Sequence, residues 1–122
     1  MIELKVTGIK EALKNLKKRG EHNQKMFHNG LLLAGLFLQR QSQLIVPVDT
    51  GALRASAYTK MTGKGWKTNV VVGYRQFYAI FVHEDLQARH RPGKQAKYLE
   101  EPARIFKQQM LEIAAAQLRR KS

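Results

Sequence analysis

An α+β fold is predicted by three features of this sequence. Ile2 to Val6 alternates apolar and polar residues, which is typical of a short strand. Apolar residues recur at helical spacing from about Glu21 to Ile45 and again from Leu99 to Leu118. Between these two helices lies a stretch rich in β-branched and aromatic residues, which favours antiparallel strands joined by hairpins. Helices that flank antiparallel strands define the α+β class.

The chain length and composition indicate the number of domains, the charge of the expected partners and the kinds of site that the protein can contain. A chain of 122 residues predicts a single domain, 1–122, with one core. The 22 basic against 9 acidic residues give a net charge of +13, which favours an anionic partner such as nucleic acid, an anionic membrane or an acidic protein surface. Cysteine is absent, which excludes disulfides, thiolate metal sites and cysteine nucleophiles. No secretory signal or membrane span is visible, so we expect a soluble protein with no membrane partner.

The first half of the chain is predicted to be mainly helical. Thr7 caps a helix with apolar positions at Ile9, Leu13 and Leu16. The stripe of the long helix consists of Phe27, Leu31, Ala34, Leu38 and Ile45. Four further residues widen that stripe: Leu32, Leu33, Leu36 and Phe37. A helix that is apolar almost all round is either a central core helix or a surface for a second subunit. Gly30 and Gly35 each weaken the helix by about 1 kcal/mol and permit close packing.

The middle of the chain is predicted to form the sheet. Pro47 ends the long helix, and Asp49, Thr50 and Gly51 form a turn. The predicted strands are Arg54 to Lys60, Lys67 to Tyr74 and Phe77 to His83. The loop Thr62 to Gly65 joins the first two as a hairpin. Residues 87–97 are polar and basic and contain Pro92-Gly93, which predicts an exposed loop before one C-terminal helix. The apolar stripe of that helix is Leu99, Ala103, Phe106, Met110, Ile113 and Leu118.

Catalytic chemistry is weakly supported. The only local cluster of metal-ligating or proton-transferring residues is His83-Glu84-Asp85. Because it lacks a defined third ligand, we interpret it instead as an ion-paired strand end with Arg89 or Arg91. Gly63-Lys64-Gly65 lacks the spacing of a phosphate-binding loop. We therefore expect no enzyme activity, no catalytic residue, no metal, no cofactor and no small-molecule substrate.

The basic charge is spread along the whole chain. No compact basic helix, zinc-finger pattern or RNA-recognition signature is present. This distribution argues against sequence-specific DNA reading. It leaves open a diffuse positive surface that faces DNA or an acidic subunit.

One segment resembles a known signature. Val46 to Tyr58, VPVDTGALRASAY, resembles the pattern P-x-D/R-T-G-x-L-R-x-S of small head–tail connector proteins of long-tailed phages. These neck or tail-completion proteins include relatives of the minor tail protein Z of lambda-like phages. The start IELKVTG, the segment VVVGYRQFYAIFVHE and the segment KYLEEPARIFKQQM are similar to further parts of that family. The likeness covers nearly the whole chain. One departure is that His83-Glu84-Asp85-Leu86 continues into a longer basic loop where many relatives have a Gly.

The resemblance implies a set of motif residues. They are Pro47, Asp49, Thr50, Gly51, Leu53, Arg54, Ser56, Tyr78, Ala79, His83 and Glu84. Asp49 and Thr50 satisfy turn amides, Gly51 supplies an unusual backbone angle, Leu53 returns to the core, and Arg54 pairs with a carboxylate such as Glu84. Two roles remain open for the motif. It sets the backbone path by which the chain passes from the long helix into the sheet, or it contacts a partner directly.

The resemblance also implies a function. We expect a structural virion protein of the head–tail junction, assembled in the host cytoplasm, which takes part in tail completion and head–tail joining. The expected partners are further copies of the chain in a ring, hexameric in this interpretation, together with neighbouring neck and tail proteins and DNA in the channel. The expected subunit contacts are Leu32, Leu33, Leu36, Phe37, Lys64, Arg89, Arg91, Lys94 and Lys97.

Three alternatives are weighed against this function. A tail terminator or a head-closure (stopper) protein occupies the same junction, and abnormally long tails or leaking heads distinguish these two. A non-specific nucleic-acid-binding protein predicts tight DNA binding that weakens steeply with salt. A small hydrolase or metal enzyme around His83, Glu84 and Asp85 predicts an activity or a metal that is lost on His83→Ala.

Overall fold

In the part of the chain that the structure describes, the fold contains one antiparallel sheet and a layer of helices. The computed structural model describes residues 2–6, 8–9, 24–46, 51–76, 79 and 97–118. The described elements, in chain order, are strand β1 (Ile2–Val6), helix α1 (Gln24–Ile45), helix α2 (Ala52–Ala55), strand β2 (Ala57–Thr62), a 3-10 turn (Gly65–Lys67), strand β3 (Asn69–Tyr74), helix α3 (Glu100–Ile105) and helix α4 (Lys107–Leu118). The α+β prediction is confirmed.

The sheet has the strand order β1-β3-β2, with both pairings antiparallel. β2 and β3 form the predicted hairpin, in which Ala57 pairs with Tyr74 and Thr62 with Asn69. β1 has the predicted bounds and pairs with the other side of β3, from Ile2 with Tyr74 to Val6 with Val70. β3 is therefore the central described strand, and its burial on both faces follows from this position.

Helix α1 packs across the sheet and against α4. Its contacts are close because two of its positions lack a side chain. A Cβ on Gly30 would lie 2.7 Å from the Ala114 carbonyl oxygen of α4, and one on Gly35 would lie 2.5 Å from a Val70 methyl group of β3. The close packing expected at both glycines is confirmed. The core cluster that these contacts enclose includes Phe27, Leu31, Ala34, Leu38, Val46, Val70, Val72, Tyr74, Tyr98, Leu99, Met110, Ala114 and Leu118.

The first predicted strand of the hairpin begins later than expected. Residues 54 and 55 belong to α2, and β2 starts only at Ala57, so the strand prediction from Arg54 is wrong at its start. The reason is local. Gly51 has φ 79°, and its carbonyl accepts the Ala55 amide at 3.0 Å, which closes one helical turn. The residues in that turn, Ala-Leu-Arg-Ala, are strong helix formers.

The single C-terminal helix predicted from the apolar stripe is interrupted. α3 ends at Ile105 and α4 begins at Lys107, because Phe106 leaves helical geometry at φ −98° and ψ 15°. This break accompanies a ring contact: Phe106 meets Phe37 edge to face, with ring centroids 5.7 Å apart. Leu99, Met110 and Leu118 of the stripe are buried, while Ala103, Phe106 and Ile113 are half-buried.

Several predicted elements lie partly or wholly outside the described residues. Gly8 and Ile9 are helical and Ile9 is buried, but the rest of the first predicted helix lies outside. Ala79 is the described residue of the predicted strand Phe77 to His83; its backbone is helical and its amide donates to the Gln76 carbonyl at 3.1 Å, so the strand is wrong at that residue. The basic loop lies outside up to residue 96. No helix within the described ranges has the length and apolarity that a membrane crossing needs.

Candidate functional site

The described part of the motif forms the connection between α1 and the sheet. Gly51 holds the left-handed backbone angle expected of it, and a side chain there would meet nothing within 4 Å. Leu53 is buried, as predicted for a residue that returns to the core. The glycine therefore serves backbone conformation and Leu53 serves packing. Pro47, Asp49 and Thr50 lie outside the described residues.

Ser56 fastens this connection to the end of β3. Its hydroxyl donates to the Leu53 carbonyl at 2.7 Å and accepts the Gln76 amide at 3.3 Å. Its own carbonyl accepts the Arg75 amide at 3.1 Å. From the other side, the Gln43 side chain of α1 donates to the Arg54 carbonyl at 3.0 Å. These bonds favour the architectural interpretation of Ser56, because the contacts with Arg75 and Gln76 tie this connection to the end of β3, while the bond to Leu53 closes the local turn.

The expected ion pair between Arg54 and Glu84 stays a prediction. Glu84 lies outside the described residues, as do Tyr78 and His83. Arg54 is half-buried, and its contact with Gln43 uses its backbone carbonyl. Burial raises the pKa of Tyr74, and the hydrogen bond to Ser42, followed by the charge of Arg54, acts against that rise.

A buried polar chain runs through the core beside the motif. The Ser42 hydroxyl of α1 lies 2.7 Å from the Tyr74 hydroxyl, and the Tyr74 ring meets the Tyr98 ring edge to face at 4.9 Å. The Tyr98 hydroxyl donates to the Ala79 carbonyl at 2.6 Å. Burial raises the pKa of Tyr74 to about 12. These contacts hold α1 and β3 to the segment that leads into α3.

This polar chain gives the motif residue Ala79 a structural role. It is buried, and its carbonyl is the acceptor for Tyr98. Sequence reasoning missed Ser42, Tyr74 and Tyr98 as a group. The signal that identifies them is three-dimensional, since the hydroxyls of Ser42 and Tyr74 meet across 32 positions of the chain.

A second polar cluster covers the outer face of the sheet. Tyr58 of β2 reaches across Gly73 of β3 and donates a hydrogen bond to the Glu3 carboxylate of β1. Lys60 forms an ion pair with Glu3 at 2.9 Å, and the Arg75 guanidinium lies 4.3 Å from the centre of the Tyr58 ring. Gly73 is required here, because a Cβ would lie 2.8 Å from the Tyr58 hydroxyl oxygen.

The electrostatics of this cluster follow from its contacts. The hydrogen bond from Tyr58, followed by that from Lys60, lowers the pKa of Glu3. Burial, followed by the bond to Glu3, raises the pKa of Tyr58 to about 12. Both groups therefore keep their usual neutral-pH charge, and the cluster joins all three described strands. The sequence does not reveal it, because the order of the strands decides which side chains meet.

Helix α1 presents an apolar side away from the core. Leu33, Leu36 and Leu44 follow one side of the helix and are 39%, 44% and 42% exposed. Leu32 and Phe37 flank this side and are half-buried, and Phe37 packs against Phe106. Of the four α1 residues expected to make subunit contacts, Leu33 and Leu36 are therefore the most accessible. We call Leu33, Leu36 and Leu44 the outer side of α1.

The cations expected to make subunit contacts differ in their surroundings. Lys64 is exposed in the hairpin connection. Lys97 has φ 58°, and its ammonium group pairs with Glu100 at 3.3 Å. This intrachain pair gives Lys97 a local role at the start of α3. Arg89, Arg91 and Lys94 lie outside the described residues.

The described residues offer no cluster for metal chemistry. Within these ranges, no group of three or more His, Cys, Asp or Glu side chains is arranged to hold a metal ion. The cluster His83-Glu84-Asp85 lies outside them. Comparison with protein-family models, with curated proteins and with solved structures found no match to this chain.

Proposed function

We propose that this chain is a structural protein of the tailed-phage neck, which takes part in tail completion and head–tail joining as an oligomeric ring around the DNA channel. The signature-like segment Val46 to Tyr58 motivates the proposal. The observation that carries it is the outer side of α1, because its three leucines are exposed on a helix whose opposite side is fully buried. The proposed location is the head–tail junction of the virion, reached after assembly in the host cytoplasm.

An exposed apolar helix side is typical of a protein that is covered in an assembly. Leu33 and Leu36 lie about one turn apart on this side of α1, and the exposed Arg40 separates them from Leu44. In a ring, each subunit meets its two neighbours through two different surfaces, so the outer side of α1 would supply one of these surfaces and would meet a different surface of the next subunit. The net charge of +13 opposes such packing between copies, and DNA in the channel or acidic neighbours would offset this repulsion.

Particle assembly tests this surface. The double variant L33E/L36E places two carboxylates on the outer side of α1 and should abolish the production of infectious particles when it replaces the natural protein. The matched control is Ile105→Glu, which makes the same kind of change at an exposed apolar residue of α3. Circular dichroism of both purified variants checks that they fold. Normal particle yield with folded L33E/L36E would contradict the proposed contact surface.

Electron microscopy of particles made without the protein tests the position in the neck. DNA-filled heads beside free tails of normal length support the joining role. Abnormally long tails point instead to a tail terminator, and heads that leak DNA point to a stopper. Normal infectious virions would overturn the whole proposal.

A second candidate function is non-specific binding of nucleic acid. The observation that favours it is a group of exposed cations on the three strands and their connections: Lys5, Lys60, Lys64, Lys67 and Arg75. Binding through such cations releases counterions from DNA and weakens steeply as salt rises. Tight binding of duplex DNA at physiological salt, with a strong salt dependence that K64E/K67E reduces, supports it. Retention on DNA only at very low salt counts against it.

A further inference from the structure

The outer face of the sheet points away from the helix layer. Helix α1 covers the other face, where a Cβ on Gly35 would meet methyl groups of Val70 and Thr59. Side chains alternate between the two faces along each strand. The strand positions next to those two residues therefore belong to the outer face, and they include Lys60 of β2 and Val71 of β3, which are register partners.

Two lysines flank Val71 in one row of this face. Lys5 of β1 pairs with Val71 on one side, and Lys60 of β2 pairs with it on the other. Both lysines are exposed. Position and charge alone assign both of them the same role. Arg75 adds a third exposed cation, which lies beside the Tyr58 ring.

The carboxylate of Glu3 distinguishes the two lysines. Lys60 pairs with one oxygen of Glu3 at 2.9 Å, and the same oxygen accepts the hydroxyl hydrogen of Tyr58. Because Tyr58 already holds the carboxylate in place, the ion pair costs Glu3 little further side-chain freedom. Within the described part of the chain, Lys5 has no carboxylate at ion-pair distance. One lysine of the row is therefore neutralised by an anion, and the other is not.

We propose that Glu3 restrains the binding of DNA to the outer face by engaging Lys60. Lys5 and Arg75 contact backbone phosphates, while Lys60 stays with the carboxylate. The inference rests on the contact with DNA that both proposed functions include. Charge complementarity supports DNA as the occupant, because the chain has a net charge of +13 and duplex DNA is a polyanion. A contact made only through phosphates is independent of sequence, so it allows DNA to slide past this face.

The salt dependence of DNA binding separates the two lysines. Each phosphate contact adds about 0.9 to the slope with which log K falls as log salt concentration rises. K5Q removes such a contact and should reduce the slope by about one. K60Q makes the same change in charge and should leave the slope nearly unchanged. Fluorescence anisotropy with a labelled duplex, between about 50 and 200 mM salt, measures both slopes. An equal reduction in the two variants would overturn the proposal.

The substitution Glu3→Gln tests the restraint directly. The glutamine amide oxygen can still accept the Tyr58 hydrogen bond, whereas its neutral side chain releases Lys60. E3Q should bind the duplex about threefold or more tightly at low salt, with a slope that is steeper by about one. The control E112Q makes the same change in charge on α4, where the Glu112 carboxylate accepts a hydrogen bond from Gln108 at 3.4 Å. A slope that steepens equally in both variants, or in neither, would overturn the proposal.

A double variant separates the release of Lys60 from the loss of repulsion between Glu3 and DNA. In the K60Q background, E3Q should no longer steepen the slope, because no lysine is left to release. Steepening in that background would overturn the proposal. Circular dichroism checks that every variant folds. If the natural protein does not bind duplex DNA even at low salt, the DNA contact of the proposed functions is wrong together with this inference. Binding that E3Q leaves unchanged would overturn only the role of Glu3.

Discussion

The two sides of helix α1 both carry leucines, but the leucines of one side are buried and those of the other side are exposed. Leu31 and Leu38 are fully buried, whereas Leu33 and Leu36 of the same helix are more than a third exposed. The buried side faces the sheet and α4, which lie close to it because Gly30 and Gly35 lack side chains. The outer side has no comparable cover among the described elements. The comparison shows that leucines of one helix are buried only on the side where another described element packs against them.

The largest expected effect is a difference in the free energy of unfolding between substitutions on the two sides of α1. Leu31→Ala should lower the free energy of unfolding by about 2–5 kcal/mol, because it leaves a cavity among fully buried neighbours. Leu33→Ala removes the same atoms from the exposed side and should change the free energy of unfolding by only about 0.5 kcal/mol. Urea unfolding of both purified variants measures the difference. Equal losses would mean that the outer side is packed within the chain.

A smaller effect tests the close approach of α1 to the sheet. Gly35→Ala should cost about 1–3 kcal/mol, because its Cβ would lie 2.5 Å from a Val70 methyl group and 2.8 Å from a Thr59 methyl group. The double variant G35A/V70A removes the first clash, so it should be less destabilised than the sum of its single variants.

Gly30 supplies the control for this cycle. Its Cβ would clash with the backbone of Ala114, so A114G should not relieve Gly30→Ala. Urea unfolding measures both cycles. Strict additivity in G35A/V70A would show that the sheet and α1 separate easily at this point.

The smallest expected effect concerns pH and the buried side of α1. Burial raises the pKa of Tyr74 to about 12 from 10. Folding therefore favours the protonated phenol. This stabilisation is fully present below pH 10 and is lost as the pH rises towards 12, amounting to a loss of about 1.4 kcal/mol at pH 11.

Tyr74→Phe removes this ionisation. The variant should lose less free energy of unfolding between pH 9 and pH 11 than the natural protein does. Tyr58, whose pKa is also raised to about 12, remains in the variant and keeps part of the dependence. Urea unfolding at the two pH values measures it. An identical change in both proteins would mean that Tyr74 is accessible to water.

The elements with strong periodicity were predictable from the sequence. The bounds of β1, the end of α1 at Ile45 and the hairpin of β2 with β3 follow from apolar spacing and turn residues. The helical turn Ala52–Ala55 was not predicted. The pattern of this stretch is typical of a strand, but the left-handed backbone of Gly51 starts a helical turn instead. The break at Phe106 was also missed, since the apolar stripe continues through it.

The candidate site was predictable only where it depends on single residues. Gly51 and Leu53 behave as their types suggest, because backbone freedom and apolar burial are local properties. The Ser42–Tyr74 contact and the Tyr58–Glu3–Lys60 cluster depend on strand order and helix rotation, which one sequence does not specify.

The strand order has a consequence for synthesis on the ribosome. β1 pairs with β3 through Ile2 and Tyr74 at one end and Val6 and Val70 at the other, so the first strand made is without its partner until the third has emerged. At a translation rate of about 5–20 residues per second, that interval is roughly 3–14 s. During it, Ile2, Leu4 and Val6 are available to any other strand in the cell. Glu3 and Lys5, which alternate with them, supply the charges that discourage such a mistaken pairing on the nascent chain.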